Sequence, residues 1–263
     1  MPGSQPAFGI VELEQDGGPH PNTIAVISAD PLVAPVKYTG ARHDLSAVRL
    51  LAPVIPRSKI VAMGRNWVGH AQETGNDVPT TPIVFIKPNT SVIGPEDSVV
   101  KPLECERLDY EGEMAIVIGK ICRRVPLERA EDVIFGYTCA NDVTARDLQN
   151  SEEQWTRAKG FDTFCPLGPW LVTDLSIGDA GNRRITTTLD GRTVQDDSTA
   201  NMVHSVAEIV AFASGFTTLL PGDVLLTGTP AGIGPMLPGQ RVTVEIEGLG
   251  ALTNPVIDER SAA

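Results

Sequence analysis

Asp109-Tyr110-Glu111-Gly112-Glu113-Met114-Ala115-Ile116-Val117-Ile118-Gly119 is the stretch from which the rest of this chain is read. Met114 to Ile118 is an uninterrupted apolar run of strand length, closed by a glycine, and predicts a strand entering a core. Side chains on a strand alternate between faces, so Glu111 and Glu113 point the same way and their carboxylates converge. Two like charges that close repel unless something positive lies between them, and at the edge of a core water no longer screens them. A divalent cation is the simplest remedy, and carboxylate oxygens select a hard one such as Mg²⁺, Mn²⁺ or Ca²⁺. Solvated strand faces carry Glu-x-Glu pairs too, so the reading depends on what else the chain brings.

Outward from this run, strands are predicted at Lys59–Gly64, Pro82–Lys87, Ser98–Val100, Phe135–Ala140, Val224–Thr227 and Val242–Ile246. Trp67 to Thr74 carries a short helical pattern ended by Gly75, Pro126 opens a helix with acid in its first turn, and Ser205–Ser214 has helical period. Residues 1–56 read as a small β-rich domain with strands at Phe8–Leu13 and Thr23–Ile27 separated by Asp16-Gly17-Gly18-Pro19. The Pro-bearing connector Leu51 to Pro56 ends it, and residues 57–263 form the larger domain. A mixed, β-rich α+β fold with short helices accounts for the pattern.

The chain has 263 residues, 41% of them hydrophobic, with 25 Gly and 21 Pro, which suits a turn-rich β architecture. A formal charge of −12 argues against nucleic acid and anionic membranes as partners. Cys105, Cys122, Cys139 and Cys165 have no metal-finger spacing, and three of them sit beside apolar segments and read as reduced core residues, which points to a cytoplasmic protein. There is no positively charged start of a signal peptide, and no apolar run of membrane-spanning length.

Asp142, in Ala140-Asn141-Asp142-Val143-Thr144-Ala145-Arg146-Asp147, follows a buried strand. It is either a third oxygen ligand or a helix N-cap. His70 and Glu73 are three apart on one helical face, as a general base with its carboxylate or as an ordinary surface pair. Arg146, Gln149 and Lys159 offer cationic and amide groups to a carboxylate, or are solvated surface. Leu226-Thr227-Gly228-Thr229-Pro230-Ala231-Gly232-Ile233-Gly234 offers hydroxyls and backbone N–H groups to an oxyanion, without the lysine of a phosphate loop. His20, His43 and His204 have no recognisable partners.

Taken in order, Gly64-Arg65-Asn66-Trp67-x-x-His70-x-x-Glu73, Asp109-Tyr110-Glu111-x-Glu113, Asn141-Asp142-Val143-Thr144-Ala145-Arg146-Asp147-x-Gln149, Lys159-Gly160-Phe161-Asp162-Thr163-Phe164-x-Pro166-x-Gly168-Pro169-Trp170 and Thr227-Gly228-Thr229-Pro230-Ala231-Gly232 resemble the fumarylacetoacetate hydrolase family. The resemblance spans about residues 57–258. It departs at Trp67, where Tyr is usual, and at Thr144, where Ser is usual. It implies a β-sandwich roll, a homodimer, and Mg²⁺ or Mn²⁺ held by Glu111, Glu113 and Asp142. It further implies a His70–Glu73 dyad on a lid, with Lys159, Gln149, Arg146 and Thr229 near a 2-oxo dicarboxylate.

The chemistry so implied runs through an enolate stabilised by the cation. The first expectation is a 2-hydroxyhepta-2,4-diene-1,7-dioate isomerase of aromatic catabolism, with His70 or Lys159 as proton shuttle. Hydrolysis of an acylpyruvate or fumarylpyruvate comes next, then decarboxylation of oxaloacetate. A dicarboxylate-binding protein without turnover is the alternative of another class.

Overall fold

The structure is a computed structural model that describes residues 5–14, 19–75 and 77–261. It divides into two compact units, residues 1–50 and 51–263. The first unit holds β1 (Phe8–Glu12), β2 (Thr23–Ile27) and β3 (Tyr38–Asp44) in one antiparallel sheet, in that order. The expected turn at Asp16 to Gly18 lies outside the described residues. No strand was expected at β3, because all seven of its residues are exposed and it lacks the apolar alternation that marks a half-buried strand.

The second unit runs through β4 (Ile60–Gly64), α1 (Val68–Glu73), β5 (Ile83–Lys87), β6 (Val92–Ile93), β7 (Val99–Lys101), β8 (Leu108–Tyr110) and β9 (Gly112–Ile118). Next come β10 (Ile134–Asn141), β11 (Thr144–Ala145), α2 (Arg146–Ser151), α3 (Thr156–Gly160), β12 (Cys165–Val172) and α4 (Ile177–Ala180). The remainder is β13 (Arg184–Leu189), β14 (Arg192–Ser198), α5 (Val206–Phe216), β15 (Val224–Leu226), β16 (Gly234–Pro235), β17 (Arg241–Ile246) and β18 (Gly250–Asp258). Where Pro126 led us to expect a helix, the chain makes two 3-10 turns, Leu127–Arg129 and Glu131–Val133, before β10. The backbone bonds there reach three residues back, from Arg129 N–H to the Pro126 carbonyl, Ala130 N–H to Leu127 and Val133 N–H to Ala130, which is the 3-10 pattern.

Three sheets organise this unit among the described residues: β5-β4-β15-β9-β10-β12-β6, β14-β13-β17-β18-β7, and the small β11-β8-β16. The fold is therefore strand-dominated with a few short helices, as the sequence leads one to expect. Strand β9 sits mid-sheet, antiparallel to both β15 and β10, and all seven of its residues are buried. Met114, Ile116 and Ile118 from β9 join Ile185, Val244 and Ile246 of the second sheet in one apolar core. Helix α5 closes that core with Val206, Ile209, Val210 and Ala213. Its start is sealed by Ser205, whose hydroxyl accepts from Glu208 N–H while the Glu208 carboxylate accepts from Ser205 N–H. The four cysteines are buried and unpaired.

Two glycines let backbones meet around the future site. A Cβ at Gly112 would lie 2.2 Å from Thr187 Oγ1, so any side chain there would collide with the second sheet. Gly228 has φ +84°, and a Cβ on it would lie 2.9 Å from that of Asn66.

Candidate metal centre and active site

Glu111 occupies the one-residue break between β8 and β9, where the chain passes from the small sheet into the large one. Its N–H donates to Asn141 Oδ1 at 2.9 Å and its carbonyl accepts from Asp142 N–H at 2.8 Å. Across the β9/β10 ladder, Glu113 pairs with Ala140 and Gly112 with Asn141. This register carries Asp142, the residue after β10, to the two glutamates. One carboxylate oxygen from each of Glu111, Glu113 and Asp142 lies within 4.8 Å of the others, and all three residues are buried. The helix-cap alternative for Asp142 does not arise, because α2 begins at Arg146 and its N-cap is Ala145.

Cations answer two of these carboxylates. Lys159 Nζ lies 2.7 Å from both Glu111 Oε2 and Asp142 Oδ2. Lys87 donates to Asp142 Oδ1 and to the Lys159 carbonyl, and Arg146 Nη2 donates to Glu111 Oε1. Burial alone would raise the Glu111 carboxyl, but Lys159 and Arg146 outweigh it and hold the group well below the usual carboxylate range. Burial alone would lower the Lys159 ammonium, yet Asp142 and Glu111 raise it, so it stays charged.

Glu113 is different. It is 1% exposed, its Oε2 accepts from Gly228 N–H at 2.7 Å, and among the described residues no basic side chain bonds to it. Burial first, then Asp142 and Glu111, push its carboxyl well above the ordinary value. Three convergent oxygen donors, one of them a buried carboxylate short of positive charge, are a donor set that fits a hard divalent ion.

A cavity of about 310 Å³ opens onto this cluster. Of the nine residues singled out from sequence, eight line it: His70, Glu111, Glu113, Asp142, Arg146, Gln149, Lys159 and Thr229. Glu73 does not. Its carboxylate accepts from Gly232 N–H at 3.1 Å, and Glu73 Oε2 stands 3.7 Å from His70 Nδ1, beyond hydrogen-bond reach. His70 is buried, and among the described residues its Nδ1 has no hydrogen-bond partner. Burial dominates its proton affinity and lowers it; Glu111 and Glu73 push upward, while Lys159 and Arg146 push down. The imidazole is therefore neutral, the form a general base needs.

Arg146 is more occupied than its spacing suggests: Nε donates to Asp109 Oδ2 at 2.8 Å, Nη1 to Gln149 Oε1 and Nη2 to Glu111. The Gln149 amide nitrogen is what that pair leaves for a ligand. Sequence reading passed over Lys87, Asp109 and Gln195. Lys87 had a signal, since alternation along β5 puts it on the inward face with Phe85. Asp109, two residues before Glu111, had a weaker one. Gln195, in the polar strand β14, had none.

Residues 59–257 match the family described as Fumarylacetoacetate (FAA) hydrolase C-terminal, and residues 1–53 match one described as Rv2993c-like, N-terminal. The 5-carboxymethyl-2-hydroxymuconate delta-isomerase of Mycobacterium smegmatis superposes with TM-score 0.86 at 43% identity, over 96% of this chain and 95% of that one. The 2-hydroxyhepta-2,4-diene-1,7-dioate isomerase of Mycobacterium marinum gives TM-score 0.85 at 43% identity, over 96% and 93%. The mitochondrial oxaloacetate tautomerase Fahd2a of Rattus norvegicus is 42% identical over 220 residues, 81% of this chain and 70% of that protein.

Proposed function

The chain belongs to the fumarylacetoacetate hydrolase family and is an enzyme, and we propose that it isomerises small 2-oxo or 2-hydroxy-dienoic dicarboxylic acids, with 2-hydroxyhepta-2,4-diene-1,7-dioate as substrate type. The observation that carries this reading is the meeting, in one cavity, of three convergent carboxylates and a buried imidazole. Mg²⁺ or Mn²⁺ held by Glu111, Glu113 and Asp142 would supply a Lewis acid that favours negative charge on a ligand enolate.

The proton is the work of the chain. His70 takes it from the 2-hydroxyl of the dienol and delivers it to the carbon at the far end of the conjugated system, so an O–H bond breaks, a C–H bond forms, and neither water nor an oxidant is consumed. Glu73 supports the imidazolium once α1 tightens over the ligand. Lys159, held as an ammonium by Asp142 and Glu111, acts as a fixed charge, which leaves the shuttle to His70. Gln149 and Thr229 face the ligand carboxylates, while Arg146, engaged by Asp109, Glu111 and Gln149, fixes the Gln149 amide. Asp109, Glu111, Glu113 and Asp142 formally exceed the buried cations Lys87, Arg146 and Lys159 by one charge. A divalent ion turns that balance positive, which suits a dianionic acid.

A homodimer fits the exposed apolar side chains Val84 and Ile86 on the edge strand β5. No described helix is long and apolar enough to cross a membrane.

The relation to the rat tautomerase favours a second reading, keto–enol exchange of oxaloacetate, which asks the same proton transfer of His70. An ultraviolet assay with Mg²⁺, repeated with chelator and with His70→Ala, separates the two. Chelator-sensitive, His70-dependent loss of the dienol absorbance supports the isomerase. Turnover of enol oxaloacetate alone supports the tautomerase, and cleavage of an acylpyruvate in the same panel would favour hydrolysis. Inertness towards all of them overturns the proposal.

A further inference from the structure

Gln195 is 2% exposed on β14, a strand of the second sheet, yet its amide reaches the candidate site from behind. Its Oε1 accepts from Gly112 N–H at 3.0 Å, the peptide between the two converging glutamates. Its Nε2 donates to Thr229 Oγ1 at 2.8 Å and to the Pro230 carbonyl at 2.9 Å. A backbone donor and a backbone acceptor thus fix which way the amide faces, since reversing it would set N–H against N–H and oxygen against oxygen.

That orientation decides the polarity of Thr229. Thr229 is buried and lines the cavity, and its hydroxyl oxygen accepts a hydrogen from Gln195. The Thr229 proton has no acceptor within the described residues, so it is left to point into the cavity. Resting on the function proposed above, we propose that Gln195 is a positioning and specificity-determining residue. It holds Thr229 as an obligate hydrogen-bond donor, so that the site selects an acceptor-only carboxylate oxygen of the ligand. The same amide ties this donor to Gly112, so the donor and the glutamates keep a fixed spacing. Strand β14 backs the loop further on as well, because a Cβ on Gly232 would lie 2.1 Å from the Val194 carbonyl.

The test is oxalate, the smallest dicarboxylate, titrated calorimetrically into the Mn²⁺-loaded full chain, with melting temperature and Mn²⁺ binding as controls. Gln195→Glu keeps the acceptor for Gly112 but draws the Thr229 proton to itself; Thr229→Val removes the hydroxyl. Each is expected to weaken oxalate about tenfold to hundredfold, the effect of one hydrogen bond to a charged group. The double variant should lose no more than the larger single loss, because both changes remove the same bond. Should Gln195→Glu fail to fold, Gln195→Met removes the donor without adding charge and is read the same way. Unchanged oxalate affinity in a folded Gln195 variant, or losses that multiply in the double variant, overturns the positioning role while leaving the proposed function intact. A wild-type protein that binds Mn²⁺ but no oxalate overturns the proposed function, and this inference with it.

Discussion

The N–H of Asp142 donates to the carbonyl of Glu111 at 2.8 Å, so two of the three converging carboxylates hang from directly bonded backbones. Asn141 completes the clasp by accepting from Glu111 N–H. Asn141→Ala would leave that buried donor unsatisfied, at about 1–3 kcal/mol. Urea denaturation of the metal-free protein should register the loss together with weaker Mn²⁺ binding. A variant with wild-type values for both would contradict the clasp.

Lys87 is 0% exposed, and its ammonium joins Asp142 to the Lys159 carbonyl. Removing Lys87 leaves Asp142 Oδ1 and the Lys159 carbonyl without this donor while Asp142 keeps Lys159 at Oδ2, at about 1–3 kcal/mol for each buried acceptor so orphaned. Lys87→Met is therefore expected to destabilise by that order in equilibrium unfolding, although it lies outside the set of proposed ligands. A change below about 1 kcal/mol would show that Asp142 does not depend on it.

Protons and cation should compete at Glu113. Its carboxyl is raised in the folded chain, so above its ordinary value of 4.5 the folded state holds more proton than the unfolded one. Without a cation, stability then falls as pH rises from about 4.5 through the folded value. Glu111, held low, has the opposite sign and acts below that window, its contribution being lost as acid protonates it. A divalent ion displaces the Glu113 proton, so its affinity should increase with pH. Calorimetry in two buffers of different ionisation heat should reveal proton release, whereas equal heats and a flat pH profile would exclude this competition.

Much of this was legible in the sequence because it is local. The apolar run of β9, the glutamates two apart and the His70–Glu73 spacing each follow from periodicity over a few residues. What escaped depends on pairing between distant segments. Glu111 converges with Glu113 from a break between two sheets, not from within one strand as the spacing implied. Lys87 meets Asp142 and Gln195 meets Thr229 only once the sheets are assembled. At His70, burial of the imidazole outweighs its carboxylate neighbours, which no local spacing could show.

Thermal unfolding of wild type and Glu113→Gln, each with and without Mn²⁺, bears most directly on the carboxylate cluster as a cation site. The substitution keeps an acceptor for Gly228 N–H and removes the group's capacity to ionise, and with it the anionic oxygen a cation would take. We expect wild type to gain about 2.7 kcal/mol at a hundredfold excess over its dissociation constant. The variant should be no less stable than wild type without metal and should gain nothing from it. Equal Mn²⁺ stabilisation of both proteins, or none of wild type with Mn²⁺ or Mg²⁺, would contradict the account.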